Sequence, residues 1–186
     1  MIVLLDANVL YPAALRDLLM WLAVVAAYEP RWTEEIHAEW MRNVLKDRSE
    51  VTVAQLERTR RLMDQVNPRC LVSGYHAHIP ALILPDQDDR HVLAAAIEAG
   101  ATVIVTFNLR HFPRKTLAPL GIRALAPDVF LEALLAQNQA RFLRGLRQHR
   151  ASLHNPPKTV EEYLASLTAQ GLSRIAVHLE KHRDKL

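Results

Sequence analysis

A continuous apolar run, Met1 to Leu5, opens the chain and stops at Asp6, the pattern of a strand buried on both faces. Residues 13–27 switch to helical spacing, with Leu15, Leu18, Leu19, Leu22 and Val25 along one stripe, and Pro30 breaks the pattern. Thr33 before Glu34 and Glu35 predicts an N-cap with acids in the first turn, opening a helix to about Leu45. A second threonine cap predicts a helix from Thr52 to about Val66. Cys70–Val72 predicts a short strand, and residues 74–84 carry no decisive period. Asp88 or Asp89 opens the next helix, which Gly100 closes as a C-cap. Thr102–Phe107 is a second buried strand, and Pro113 closes the loop after it. Gly121–Leu125 predicts a last short strand, and a helix follows from about Val129. Pro156-Pro157 interrupts the chain again before helices over 158–170 and 172–183. Strands alternating with helices predict an α/β fold with a parallel sheet flanked by helices, followed by a helical C-terminal extension.

Half of the 186 residues are apolar and 23% are charged, enough to bury a core. Cys70 is the only cysteine, which excludes a disulfide framework and a cysteine metal site. The opening segment lacks the basic leader and the length of a signal peptide or membrane span, so a soluble, cytoplasmic protein is expected. The net charge of +3 is uneven: residues 130–186 hold nine of 23 basic side chains but only five of 20 acidic ones. Arginine outnumbers lysine 18 to 5. The planar guanidinium suits phosphate, so the balance leans toward a nucleic-acid partner. Arg141, Arg144, Arg147 and Arg150 recur every third residue, as an RNA-backbone contact or as a plain solvated face.

The chemistry concentrates in acids. In parallel sheets, ligands bind beyond the carboxyl ends of the strands. Asp6 follows the first strand there, and Asn108 follows TVIVTF. Asp86, Asp88 and Asp89 crowd the start of the helix that leads into that strand. One of the three could be no more than a helix cap. Glu39 sits beside an apolar face marked by Ile36, Trp40 and Val44, where a carboxylate has to be paired, protonated or metal-bound. With no lysine or histidine expected opposite them, these grouped oxygens suit one or two hard divalent cations, Mg²⁺ or Mn²⁺.

The order of these stretches resembles the PIN-domain nucleases, and specifically VapC-type toxins of type II toxin–antitoxin pairs, over roughly residues 1–130. LLDANVLY is similar to the family's first motif, mapping a metal ligand onto Asp6 and its polar neighbour onto Asn8. WTEEIHAEW resembles the second motif and selects Glu39 over Glu34 and Glu35. In the third, the ligand aspartate precedes small residues five and seven positions on. Asp89 with Ala94 and Ala96 fits, leaving Asp86 or Asp88 as extra ligands. TFNLRHF is similar to the fourth motif, with Thr106 shaping the site and Asn108 where stricter members carry an acid. The resemblance implies a three-layer PIN-like sandwich over 1–130, with a helical extension over 131–186. It further implies an Mg²⁺- or Mn²⁺-dependent endoribonuclease with Asp6, Glu39, Asp89 and Asn108 as catalytic and metal-binding residues. A small antitoxin partner and a homodimer follow from it as well. Arg42 and Arg110, with the four tail arginines, are then the side chains expected to meet RNA phosphates.

Other classes fit less well. A haloacid-dehalogenase phosphatase needs an aspartate where Asn8 stands. No lysine follows a strand as a receiver domain requires. The five scattered glycines allow no P-loop or dinucleotide fingerprint, and no nucleophile elbow is present. The competing reading is a catalytically impaired PIN-like module that binds RNA or protein, which the amide at Asn108 favours.

Overall fold

A computed structural model describes residues 1–186. Four strands, β1 (Ile2–Leu5), β2 (Glu29–Arg31), β3 (Val103–Val105) and β4 (Arg123–Leu125), form one parallel sheet in the order β2-β1-β3-β4. The helices in chain order are α1 (Ala7–Leu10), α2 (Ala13–Val24), α3 (Glu34–Asp47), α4 (Val53–Asp64), α5 (Arg90–Glu98) and α6 (Arg114–Leu117), then α7 (Pro127–Gln137), α8 (Gln139–Ser152), α9 (Val160–Ala169) and α10 (Ser173–Leu179). No helix is long and apolar enough to cross a membrane.

The chain forms two compact units. The first holds Met1–Pro12 and Glu29–Leu125, and the second Ala13–Tyr28 and Ala126–Leu186. The second unit is thus wider than residues 131–186, because α2 belongs to it.

The sheet of the first unit is built from the expected apolar runs. Val3, Leu4, Leu5, Val103, Ile104 and Val105 are all fully buried, the condition under which a parallel sheet is stable. β2 departs from expectation, since Glu-Pro-Arg has no apolar run and Pro30 predicts only a break. Glu29 N–H donates to the Met1 carbonyl, so the Pro30 nitrogen, one residue on, faces away from β1. An outer strand tolerates proline in that orientation. The strand expected at Cys70–Val72 shrinks to a single bridge between Trp32 and Leu71. Residues 75–81 form a 3-10 helix. Thr33 caps α3 through Ile36 N–H at 3.1 Å, and Thr52 with Gln55 forms a full capping box on α4.

The strand order reverses between β1 and β3. The chain leaves β1 toward β2 on one side, then returns to β3 and β4 on the other. At such a switch point the connections diverge and open a crevice beyond the carboxyl ends of the two central strands. Asp6 N–H continues the ladder by donating to the Val105 carbonyl at 3.1 Å, which pins these two ends together.

The second unit is helical. Leu15, Leu18, Leu19 and Leu22 of α2 are buried, as are Phe130, Leu134, Phe142, Leu146, Leu164, Leu167 and Leu179. Gly145 allows α8 to approach α2: a Cβ there would stand 2.9 Å from Leu22 Cδ2 and 3.1 Å from Val25 Cγ2. Three of the four tail arginines serve as local ties. Arg141 and Arg144 donate to the Ala26 and Val25 carbonyls, and Arg150 to those of Lys158 and Leu186. Arg147 is exposed.

Candidate metal centre

Asp6 stands at the end of β1, only 2% exposed. It precedes α1 but makes no side-chain cap to it. Its Oδ2 instead accepts from Asn8 Nδ2 at 2.7 Å and from Thr106 Oγ at 2.6 Å. Thr106, fully buried at the end of β3, is the hub of this corner. Asn8 Nδ2 also reaches Thr106 Oγ at 3.0 Å, and Asn8 Oδ1 accepts from Phe107 N–H at 3.0 Å. Asn8 and Thr106 therefore hold the Asp6 carboxylate through its Oδ2.

Three carboxylates from separate stretches act on one another here. Burial raises the Asp6 pKa, opposed by the Thr106 hydrogen bond and reinforced by the Asp89 charge. Glu39, on α3, is pushed up to about 7, first by burial and then by the charges of Asp6 and Asp89, with Arg42 opposing. Asp89 sits at the N-cap position of α5 and makes no side-chain cap bond. The cap reading thus explains neither Asp6 nor Asp89. The two other acids of α3's N-terminal half have partners of their own, and the charge of Glu35 adds to the rise at Glu39. Glu34 pairs with Arg60 at 2.6 Å, and Glu35 accepts from Tyr75 Oη at 3.1 Å.

The cluster at 86–89 divides by role. Asp86 Oδ1 accepts the Asp88 N–H at 3.0 Å, an ordinary Asx turn, and Asp88 is exposed. Asp86, Asp89 and His111 place one ligand-type atom each within 4.8 Å of one another. Asn108 lies at the same corner by its backbone, whose N–H donates to Thr106 Oγ at 3.0 Å, but the residue is exposed. Of the arginines expected to meet phosphate, Arg42 is exposed and near enough to Glu39 to oppose its pKa shift. Arg110, also exposed, donates from Nε to His111 Nε2 at 3.1 Å.

Two histidines correct the expectation that the acids had none opposite them. His111 Nδ1 lies 2.6 Å from Asp89 Oδ2 and 3.6 Å from Asp86 Oδ2. His91, about nine-tenths buried, has Nδ1 3.6 Å from Glu35 Oε2 and Nε2 3.9 Å from Glu39 Oε2. At those separations His91 Nδ1 has no hydrogen-bond partner. The signal in the sequence was weak. His91 follows Asp89 by two residues and His111 closes NLRHF, but only the tertiary fold puts them against carboxylates.

A parallel sheet flanked by helices is the fold the family resemblance implied. Residues 2–110 match the family described as PIN domain, and residues 127–181 match the VapC50 C-terminal domain. The chain belongs to the PIN-domain family. The second match makes it a VapC-type member with a C-terminal extension. A 43-residue stretch is 63% identical to a Mycobacterium tuberculosis protein described as "Putative ribonuclease VapC50", covering 23% of this chain and 25% of that protein. No solved structure matches the chain.

Proposed function

We propose that this chain is a divalent-metal-dependent endoribonuclease, acting as the toxin of a type II toxin–antitoxin pair. One observation carries the reading. Asp6, Glu39 and Asp89 come from three separate stretches, the charge of Asp89 disfavours that of both Asp6 and Glu39, and neither aspartate caps a helix with its side chain. Such a group is costly without a cation and fits Mg²⁺ or Mn²⁺, which prefer oxygen ligands. The family and the printed name of the Mycobacterium relative support RNA as substrate.

In this reading Asp6, Glu39 and Asp89 hold the first ion, and Asp86 is the extra ligand available to a second. Asp88 is assigned to the turn, and Asn108 as a neutral neighbour. A cation held there supplies Lewis-acid polarisation of the phosphodiester and eases deprotonation of water. The chain's own residues prepare that chemistry. Thr106 and Asn8 hold Asp6 in a single orientation, so no rearrangement is needed as the ion arrives. Glu39, with its pKa near neutrality, carries a proton for much of the time without metal and releases it to become a ligand. Arg42 and Arg110, both exposed at this rim, are assigned to the RNA phosphates. A small antitoxin covering the rim, a homodimer and a cytoplasmic setting belong to the same reading.

The amide at Asn108 favours a second reading, a catalytically impaired module that binds RNA or protein. Incubating antitoxin-free protein with total RNA, with Mg²⁺, with Mn²⁺ and with EDTA, then mapping the ends, separates the two. Metal-dependent new ends at fixed sites are expected. Intact RNA under every metal condition sinks the nuclease reading.

A further inference from the structure

We infer that His111 is a positioning residue for Asp89, kept in one tautomer by Arg110, and that this relay leaves Asp89 Oδ1 to ligate the cation. The inference rests on the metal reading proposed above and gives a role to a residue of the TFNLRHF stretch other than Thr106 and Asn108.

The tautomer follows from the neighbours. Arg110 Nε–H only donates, and it points at His111 Nε2 at 3.1 Å, so Nε2 carries the accepting lone pair. The ring proton is then on Nδ1, which stands 2.6 Å from Asp89 Oδ2 and donates to it. The chain Arg110 Nε–H to His111 Nε2, then Nδ1–H to Asp89 Oδ2, has one consistent direction. It holds one carboxylate oxygen and leaves the other. An outer partner of this kind orients a metal-binding carboxylate and sets its basicity.

The same geometry argues against His111 being a ligand itself. Adjacent ligands of an octahedral ion at about 2.0–2.1 Å stand about 3 Å apart. The 2.6 Å separation between Nδ1 and Oδ2 is instead that of a short charge-assisted hydrogen bond with a proton between the atoms. A ligating Nδ1 would also move the ring proton to Nε2, directly against Arg110 Nε–H. Local structure supplies the placement. His111 ends the 3-10 turn Leu109–His111 that follows Asn108, and Phe112, 2% exposed, anchors the next residue in the core. The loop that carries the fourth motif thereby reaches back to the aspartate of the third.

The test uses amide variants of the full chain. The asparagine amide nitrogen falls near the place of Nδ1, whereas that of glutamine falls near Nε2. Mn²⁺ affinity is read from the free-ion electron paramagnetic resonance signal, without RNA. His111→Gln is expected to weaken binding about 10- to 100-fold. His111→Asn should keep affinity close to wild type, and Arg110→Met should weaken it less than His111→Gln. Pulsed spectra of the Mn²⁺-loaded wild type should lack the coupling of a directly bound imidazole nitrogen. Equal affinity in wild type and His111→Gln overturns the positioning role while leaving the metal reading intact, and a directly bound nitrogen does the same. Wild type that binds neither Mn²⁺ nor Mg²⁺ overturns the metal reading and this inference with it. Melting curves in EDTA identify any variant whose loss comes from misfolding, and the comparison between asparagine and glutamine then decides.

Discussion

Two aspartates at helix beginnings, one in each unit, are used in opposite ways. Asp128, in the first turn of α7, is 8% exposed and directs both oxygens at a different helix. It accepts from Arg174 N–H and Ile175 N–H, each at 2.9 Å, and so satisfies two donors at the start of α10. Asp89, at the start of α5, caps nothing, and its charge raises the pKa of both Asp6 and Glu39. The contrast extends to the histidines. His149 in the helical unit is held by Tyr163 Oη at 2.8 Å and Asp17 Oδ2 at 3.3 Å, whereas His91 Nδ1 at the acidic rim has no hydrogen-bond partner. Asp128 and His149, both buried in the helical unit, each meet hydrogen-bonding partners. At the sheet rim, Asp6 and Glu39 are instead held at raised pKa by burial and by neighbouring carboxylates, an arrangement that folding alone does not favour.

The largest expected effect tests the functional half of this contrast. Asp6→Asn keeps shape and removes one ligand charge, so RNA cleavage should fall by roughly three orders of magnitude, about 4 kcal/mol of transition-state stabilisation. The melting temperature in EDTA should stay level or rise, because one member of a repelling set is gone. Single-turnover cleavage and calorimetry check the two parts. Retained cleavage sinks the metal role, and a collapse of melting temperature makes Asp6 a structural residue.

Asp128→Ala should do the reverse. Losing a buried carboxylate that holds two helix donors should cost about 2–3 kcal/mol. For a chain of this size that lowers the melting temperature by roughly 5–10 °C, with cleavage per folded molecule little changed. A variant as stable as wild type would erase the distinction between the two aspartates.

How legible these roles were depends on where the physics is local. β1 and β3 announce themselves as apolar runs, and the threonine caps of α3 and α4 are written within four residues. β2 was hidden because Glu-Pro-Arg owes its pairing to a neighbouring strand, and its one favourable feature, the outward Pro30 nitrogen, exists only once β1 is beside it. The stripe of α2 shows that it is buried but not against what, and Gly145 on α8 reveals its partner only in three dimensions. Motif spacing singled out Asp6, Glu39 and Asp89, whose charges the fold brings close enough to act on one another. His91 and His111 were not legible, because a histidine's role is set by the groups across from it, and those lie 52 and 22 residues away at Glu39 and Asp89.

A smaller effect comes from pH. Asp6 and Glu39 have raised folded-state pKa values, so their neutral forms favour the fold. That contribution is present below the unfolded values and is lost as pH rises through the folded ones. For Glu39 the window runs from its ordinary 4.5 to about 7. About a third of its side chain is exposed, so after solvent screening the loss is on the order of 1 kcal/mol. Protein in EDTA should therefore melt a few degrees lower at pH 7.5 than at pH 5 from this source, and saturating Mg²⁺ should reduce the difference. An EDTA stability that rises over this window would show that the carboxylates do not burden one another.

The smallest effect concerns the basic stripe of α8, where the two kinds of use meet on one helix face. Arg141, Arg144 and Arg150 tie down carbonyls at Ala26, Val25, Lys158 and Leu186, while Arg147 is exposed and makes no such bond. A solvated arginine that meets RNA phosphate adds nearly one unit to the log–log salt slope of binding. One that ties a carbonyl adds net stability of about 1 kcal/mol, and its loss lowers the melting temperature instead. Arg144→Gln should therefore lower the melting temperature by roughly 2–4 °C with the salt slope unchanged. Arg147→Gln should leave stability within about 0.5 kcal/mol. Its salt slope decides what the stripe is for. A drop near one unit assigns the exposed face to RNA, and an unchanged slope leaves RNA contact to Arg42 and Arg110 at the sheet rim.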